Sequence, residues 1–316
     1  MGIKNYFWNK RRKLSYLSRA ISEQSYEMGK VYEELLTIRK GLILNGNLKQ
    51  AFDYSWQKDS LYAHAMGAAD GIAYTNSKEA FLQNYRKGCR VFETDISLTK
   101  EGLPVLCHDW RQIDENRFIP YSEAVREIPE QKPMEYARFM RVRLNDAYTP
   151  LDLNGLVMLA KEYSDAYFIV SVKSLHYIYD ETVRARFALL EMLCRTQGVG
   201  IWERMIPQAH SPVYFYKMMA DFSFHSVIYG MRDIQIPLEQ LTSFLQETGI
   251  KAVACDHGKP FTNTHTFEAI HKVGAQVIVA TVNKTKEMRE WEEKGADAFL
   301  TDLGFPEGDG NNEKTL

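Results

Sequence analysis

Cysteine is scarce in this sequence. Only Cys89, Cys107, Cys194 and Cys255 occur in 316 residues, and no two stand at the spacing of a metal-binding pair. Three of the four lie within or at the ends of apolar, strand-like runs, so they read as buried thiols of a reducing compartment, not as a disulfide framework. An excess of basic charge is also lacking. A net charge of −2 argues against nucleic acid as a partner, because proteins that bind it carry surplus Lys and Arg. No apolar run approaches the ~18 residues of a membrane span. The first residues, MGIKNYFWNKRRKLSYL, are basic but have no uninterrupted apolar core of signal-peptide length. Tyr6 stands where a myristoylation motif needs Ser or Thr. The cytoplasm is the expected location.

What is present is a pattern of alternation. From about residue 60, short β-branched or aromatic runs alternate with amphipathic stretches. The strand candidates are 61–66, 90–95, 167–172, 204–209, 225–230, 252–256, 276–281 and 298–302, each nearly continuous in apolarity as parallel strands buried on both faces should be. The helical candidates between them are 76–87, 151–163, 181–196, 238–248, 264–273 and 284–294. Start signals stand at Asn76 and Ser77, at Ser211 before a proline, and at Asn283. Eight strands alternating with helices predict an α/β fold, a (β/α)8 TIM barrel, which typically needs about 250 residues. The rival, a doubly wound sheet, is disfavoured because the first turn, HAMGAADG, is not a dinucleotide fingerprint.

Two regions fall outside the repeat. Residues 96–107 read as a small hairpin around KEGL, and about 110–150 form an insertion expected to cover the substrate. Residues 1–59 are expected to be an N-terminal helical arm, with 60–316 as the barrel domain. Met28, Val31, Tyr32, Leu35 and Leu36 recur at helical spacing, which suits packing on the barrel or on a second copy in a homo-oligomer. The cluster Lys10–Lys13 beside Phe7 and Trp8 alternatively suits a peripheral membrane contact.

Catalytic groups of such barrels sit at the C-terminal ends of strands. The polar residues at those ends are His64, Glu93 and Asp95, Lys173, Gln208 and His210, Asp256 and His257, Asn283 and Asp302. Glu93 and Asp95 are two apart on one strand, so their side chains point the same way and repel unless a cation or proton intervenes. A hard cation such as Mg²⁺ or Ca²⁺ would fit between them. A structural pair bonded to backbone and to Lys or Arg at the barrel mouth is the alternative. His108 follows the apolar Val-Leu-Cys and precedes Asp109. One imidazole can take a proton from an attacking hydroxyl while another returns one to a leaving alkoxide. A buried, backbone-satisfied histidine is the plainer alternative for each taken alone.

The order His-x-x-Gly (64–67), Asn76-Ser77 opening a helix, Glu93-x-Asp95, then Leu-Thr-Lys-x-Gly-x-Pro-Val-x-x-His-Asp (98–109) resembles the glycerophosphodiester phosphodiesterases. Val172-Lys173, Ala280–Asn283 and Leu300–Asp302 extend the resemblance over roughly residues 60–305. It implies a barrel with His64 and His108 as general base and acid, Glu93 and Asp95 as metal ligands for Mg²⁺ or Ca²⁺, and Lys173 facing the substrate phosphate. Gln208 and Asn283 are further substrate-binding candidates. The implied substrate is a small phosphodiester or lipid headgroup, whose neighbouring hydroxyl attacks phosphorus to give a cyclic phosphodiester that water opens.

Three positions depart from the family pattern. Ala65 replaces an Arg, Thr75 replaces a Glu, and Ser171 replaces the third metal-binding Glu. Asp109, Asp152, Asp256 or a substrate oxygen would have to fill that last position. The expected activity is hydrolysis of a glycerophosphodiester to an alcohol and glycerol phosphate. The alternatives are a degenerate barrel that binds a phosphorylated ligand or partner, and a lyase-like phospholipase that stops at the cyclic product.

Overall fold

The computed structural model of the protein describes residues 51–302, apart from 115–116, 129–130, 144–146, 174–177 and 232–235, and also positions 37 and 41. The apolar stripe from Met28 to Leu36 and the Lys10–Lys13 cluster lie outside the described residues.

All eight apolar runs become strands, and they close into a (β/α)8 barrel. The barrel strands are β1 (Leu61–Ala63), β2 (Val91–Leu98), β6 (Tyr167–Val172), β7 (Met205–Ala209), β8 (Ile228–Met231), β9 (Ala252–Asp256), β10 (Gln276–Ala280) and β11 (Ala298–Thr301). Each pairs in parallel with the next, and β1 pairs with both β11 and β2 to close the ring. Helices Lys78–Arg86, Leu153–Glu162, Glu181–Gln197, Pro212–Asp221, Leu238–Thr248, Thr264–Lys272 and Thr285–Glu292 cover the outside. The helix Pro212–Asp221 grows from the start signal at Ser211, whose hydroxyl caps Tyr214 N–H at 3.1 Å. Among the described residues, no helix is long and apolar enough to cross a membrane.

Two strands differ from their sequence bounds. β1 stops at Ala63, because His64–Met66 turn into a short 3-10 segment in which Ala65 (φ 49°) and Met66 (φ 70°) are left-handed. β8 begins at Ile228, because the residues before it serve the barrel floor: Ser226 Oγ accepts from the Trp56 indole at 2.8 Å.

The hairpin extends β2, with β3 (Pro104–Leu106) antiparallel to its end. The insertion that follows carries a 3-10 turn (Trp110–Gln112), a two-stranded ribbon of β4 (Ile113–Asp114) and β5 (Arg117–Phe118), and helices Tyr121–Glu127 and Tyr136–Phe139. It is tied down by Tyr136, whose hydroxyl donates to Asp152 at 2.8 Å, and by a Trp110–Phe139 edge contact.

Alternation along the strands separates two cores. Outward residues such as Phe92, Phe168 and Phe299 meet the helices, while Tyr62, Val91, Ile169, Ile206, Ile228, Ala252, Ala254, Ile278, Ala298 and Leu300 fill the barrel. Trp56 joins this inner layer, buried at 3% exposure, with Tyr54 beside it donating to Val227 O. Trp56→Ala should therefore cost about 3–5 kcal/mol of stability, the range for deleting a buried large aromatic. Chemical denaturation checks this, and Trp56→Phe should recover much of the loss.

Candidate active site

The inner layer continues upward in steps of two, and those steps deliver the site. From Tyr62 the next inward residue is His64. From Val91 come Glu93 and Asp95, from Ile169 come Ser171 and Lys173, and from Ile206 come Gln208 and His210. Ala254 leads to Asp256 and Leu300 to Asp302. Period-two alternation puts residues far apart in sequence on one rim.

His64 is held by a carboxylate that arrives 238 residues later. Its Nδ1 lies 2.7 Å from Asp302 Oδ1, leaving Nε2 facing Glu93 Oε2 at 3.7 Å. Asp302 is fixed in turn by Asn283. The Asn283 Nδ2 donates to Asp302 Oδ2 at 2.8 Å, and its Oδ1 accepts from the Asp302 amide at 2.8 Å. Burial pulls the His64 imidazole down, but the Asp302 bond and the charges of Glu93, Asp302 and Asp95 outweigh it, so its pKa lies above the usual histidine value.

Asp95 is fully buried; its Oδ2 is hydrogen-bonded, while its Oδ1 has an ion-pair partner but no hydrogen-bond donor among the described residues. Lys173 Nζ lies 2.7 Å from Oδ1, and Asn76 Nδ2 donates to Oδ2 at 3.0 Å. Asn76 is locked by its own Oδ1, which accepts from Thr94 Oγ1 and from the Asp95 amide. Burial alone would raise the Asp95 pKa, but Lys173, His108 and His64 together drive it below the carboxylate range. Glu93 accepts from the Ala65 amide at 2.9 Å. Burial and the Asp95 charge push Glu93 up to about 7, against the pull of His64 and Lys173. Beneath the rim, buried Arg186 donates to the carbonyls of Lys173 (2.6 Å) and Ile96 (3.2 Å), which pins the ends of β6 and β2.

His108 faces His64 at 6.4 Å between ring centroids. Tyr74 sits edge-on to both, at 4.8 Å from His64 and 4.7 Å from His108, and Tyr121 of the insertion stacks on Tyr74 at 5.3 Å and meets His108 at 4.6 Å. The His108 Nδ1 has no hydrogen-bond partner among the described residues. Burial, with the Lys173 and His64 charges, pushes its pKa down to about 4 despite Asp95 and Asp109. The rim thus carries one imidazole inclined to hold a proton and one inclined to lack it.

Gln208 is buried on β7 and His210 just beyond its end, and Gly230 of β8 lies against them; a Cβ at Gly230 would come within 2.8 Å of His210 Nδ1. His257 is exposed beyond β9. Sequence reasoning passed over Tyr74, Tyr121 and Arg186, and took Asn76 only as a helix start. Tyr74 and Asn76 stand at positive φ (66° and 47°), a backbone fact no motif advertises.

The donor set does not suit a resident Mg²⁺ or Ca²⁺ between Glu93 and Asp95. Asp95 Oδ2 accepts from Asn76, its Oδ1 already faces the Lys173 ammonium at 2.7 Å, and Ser171, its register partner on β6, offers only a neutral hydroxyl. Asp109 is turned to Arg111, and Asp152 caps Gly155 N–H, so neither supplies the third carboxylate. Among the described residues, no group of three or more His, Cys, Asp or Glu converges to hold a metal. An ion bound about 4 Å from the Lys173 ammonium would also meet repulsion of ~4 kcal/mol per unit charge at an effective dielectric of about 20. Two cationic groups of the chain stand beside the carboxylates, Lys173 at 2.7 Å from Asp95 and the His64 imidazole at 3.7 Å from Glu93.

No family profile matches the chain, and no curated protein matches it in sequence. Solved structures do. A glycerophosphodiester phosphodiesterase from Parabacteroides distasonis superposes with a TM-score of 0.58 at 18% identity, over 78% of this chain and 93% of the other. One from Thermotoga maritima gives 0.53 at 16%, over 77% and 94%. A phosphodiesterase from Oleispira antarctica, solved with the product sn-glycerol-3-phosphate, gives 0.58 at 15%, over 78% and 94%. At these identities the likeness establishes the fold.

The buried imidazole has a measurable consequence. An unfolded chain protonates His108 near pH 6.5, whereas the folded chain does so only near 4. Its contribution to stability is therefore complete above pH 6.5 and is lost as pH falls towards 4, by on the order of 3 kcal/mol. The stability difference between wild type and His108→Gln, followed by denaturation from pH 7 to pH 4, should shrink accordingly. A ring proton titrating near 4 in NMR identifies the same group.

Proposed function

We propose that the protein is a phosphodiester hydrolase that cleaves a glycerophosphodiester-type substrate to an alcohol and glycerol phosphate. One observation carries this reading: two imidazoles face each other across 6.4 Å, with opposite protonation tendencies, beside the Lys173 ammonium. That spacing accommodates a phosphoryl group with one imidazole on each side of the scissile bond. The barrel's likeness to phosphodiesterases, one of them solved with sn-glycerol-3-phosphate, supports the same class.

In this reading the roles implied by the resemblance are exchanged, with His108 the base and His64 the acid. Neutral His108 removes the proton from the substrate's hydroxyl neighbouring the phosphate, whose oxygen then bonds phosphorus. The phosphorus–oxygen bond to the departing alcohol breaks, and His64 Nε2–H protonates that alkoxide. Asp302 keeps the proton of Nδ1 engaged, so that Nε2 is the nitrogen turned to the reaction. In this reading the Lys173 ammonium, 2.7 Å from Asp95 Oδ1, also meets the phosphoryl oxygens as charge grows on them. Roles then reverse: His64 takes a proton from water, the water oxygen bonds phosphorus, and His108 returns its proton to the ring oxygen of the cyclic phosphodiester as it opens. Asn283 acts here through Asp302 as a positioning residue.

One observation favours the cyclic product as an end point. His64 is held towards its protonated form by Asp302 and Glu93, which makes it a reluctant base for the second step. Phosphorus NMR of the reaction mixture separates the readings, since hydrolysis ends in a monoester and a lyase in the cyclic diester.

His64→Ala and His108→Ala should each lower turnover of a glycerophosphodiester by at least ~10²-fold, the scale of losing a general acid or base. Both lie on the rim, so far-UV circular dichroism should be unchanged. Near-normal turnover in either variant removes that residue from the mechanism.

A further inference from the structure

The buried carboxylates of this site are already neutralised by side chains of the same chain, and that neutralisation has a direction. Lys173 approaches Asp95 Oδ1 from β6, two residues beyond Ser171, while Asn76 approaches Oδ2 from the loop after β1. The two donors stand on opposite sides of one carboxylate that no water reaches. Arg186 fixes the backbone of Lys173, whose side chain is 31% exposed, and Thr94 together with the Asp95 amide fixes the Asn76 side chain. Ser171 is 3% exposed beside Asp95 and is too short and neutral to compete for an ion. Glu93 spends one oxygen on the Ala65 amide.

We propose that Lys173, braced by Arg186, permanently occupies the cation position beside Asp95, so that this site binds its phosphodiester and turns it over without a divalent ion. The inference deepens the phosphodiesterase reading and rests on it for the word turnover. Its chemistry is simple: the ammonium does the charge neutralisation that a metal does at a phosphoryl group, and the proton transfers stay with His64 and His108. A point charge on a flexible stem orients phosphate poorly, which explains why its stem is anchored at the backbone by a buried guanidinium.

Two measurements on the full chain decide it. The first is direct Mn²⁺ binding, followed by electron paramagnetic resonance and needing no substrate. Wild type should show no stoichiometric binding at millimolar Mn²⁺. Lys173→Met, which frees Asp95 Oδ1, should bind Mn²⁺ at least ~10-fold more tightly, the scale on which a ligand's immediate partners change metal affinity. Stoichiometric Mn²⁺ binding by wild type overturns the proposal, and so does a folded Lys173→Met variant that gains none. The second is turnover of glycerophosphocholine in EDTA. Undiminished turnover supports the proposal, and turnover lost in EDTA and restored by Mg²⁺ or Ca²⁺ overturns it. Should there be no turnover of any glycerophosphodiester with or without metal, the phosphodiesterase reading fails, and the Mn²⁺ result alone decides who holds the cation position.

Discussion

Asp95 touches no water, and the ammonium of Lys173 and the amide of Asn76 together hold its charge. An isolated carboxylate in such a place would be strongly penalised. The rest of the rim follows from meeting that demand. Lys173 must stand at the top of β6, so Arg186 reaches under it to the carbonyls of Lys173 and Ile96. Asn76 must reach β2, so the chain leaving β1 has to double back across the barrel mouth. Glu93 and Asp302 repeat the problem on the other side, with the His64 imidazole between them as the shared partner.

The loop that doubles back bears the conformational cost. Ala65, Met66, Asp70, Tyr74 and Asn76 all have positive φ, a region that costs side-chain-bearing residues about 1–3 kcal/mol each. Such a loop persists only when its surroundings over-determine it. Here Asn84, buried on the first helix, donates to Met66 O, Ala68 O and Ala80 O, and it fits because Gly67 has no Cβ; one would lie 2.4 Å from its amide nitrogen. Glu93 holds the Ala65 amide, and Ala69 and Ile72 pair across the bend. Ala65, where the resembled family pattern has Arg, is one of these left-handed residues, and its backbone amide makes the contact to Glu93.

Much of this was legible in the sequence. The strands could be read because both of their faces are apolar, and the rim residues because period two carries the inner layer up to them. β6 and β9 have the bounds that the apolar runs suggested. The resemblance block around Glu93–Asp109 puts Glu93, Asp95 and His108 on the rim that also carries His64 and Lys173. What the sequence could not show is who neutralises whom. Glu93 and Asp95 read equally well as metal ligands or as a structural pair, and the choice depends on a 2.7 Å approach of Lys173 that spacing does not encode. Asp302 lies 238 residues from the histidine it orients. Tyr121 sits in an insertion with no periodicity, so nothing local marked it as a neighbour of His108.

That last contact ties the insertion to the chemistry. His108 is made a weak base by enclosure, and the enclosure is built by Tyr74 from the strained loop and Tyr121 from the insertion helix. The same two rings that exclude water from the imidazole also narrow the approach to it. Base strength and access are therefore not independent in this barrel. Moving Tyr121 aside would widen the approach and rehydrate His108 together, raising its pKa towards the ordinary value and bringing it closer to that of His64. The insertion, expected from the sequence to cover a substrate, thus also helps to maintain the difference between the two imidazoles on which the proposed proton transfers depend.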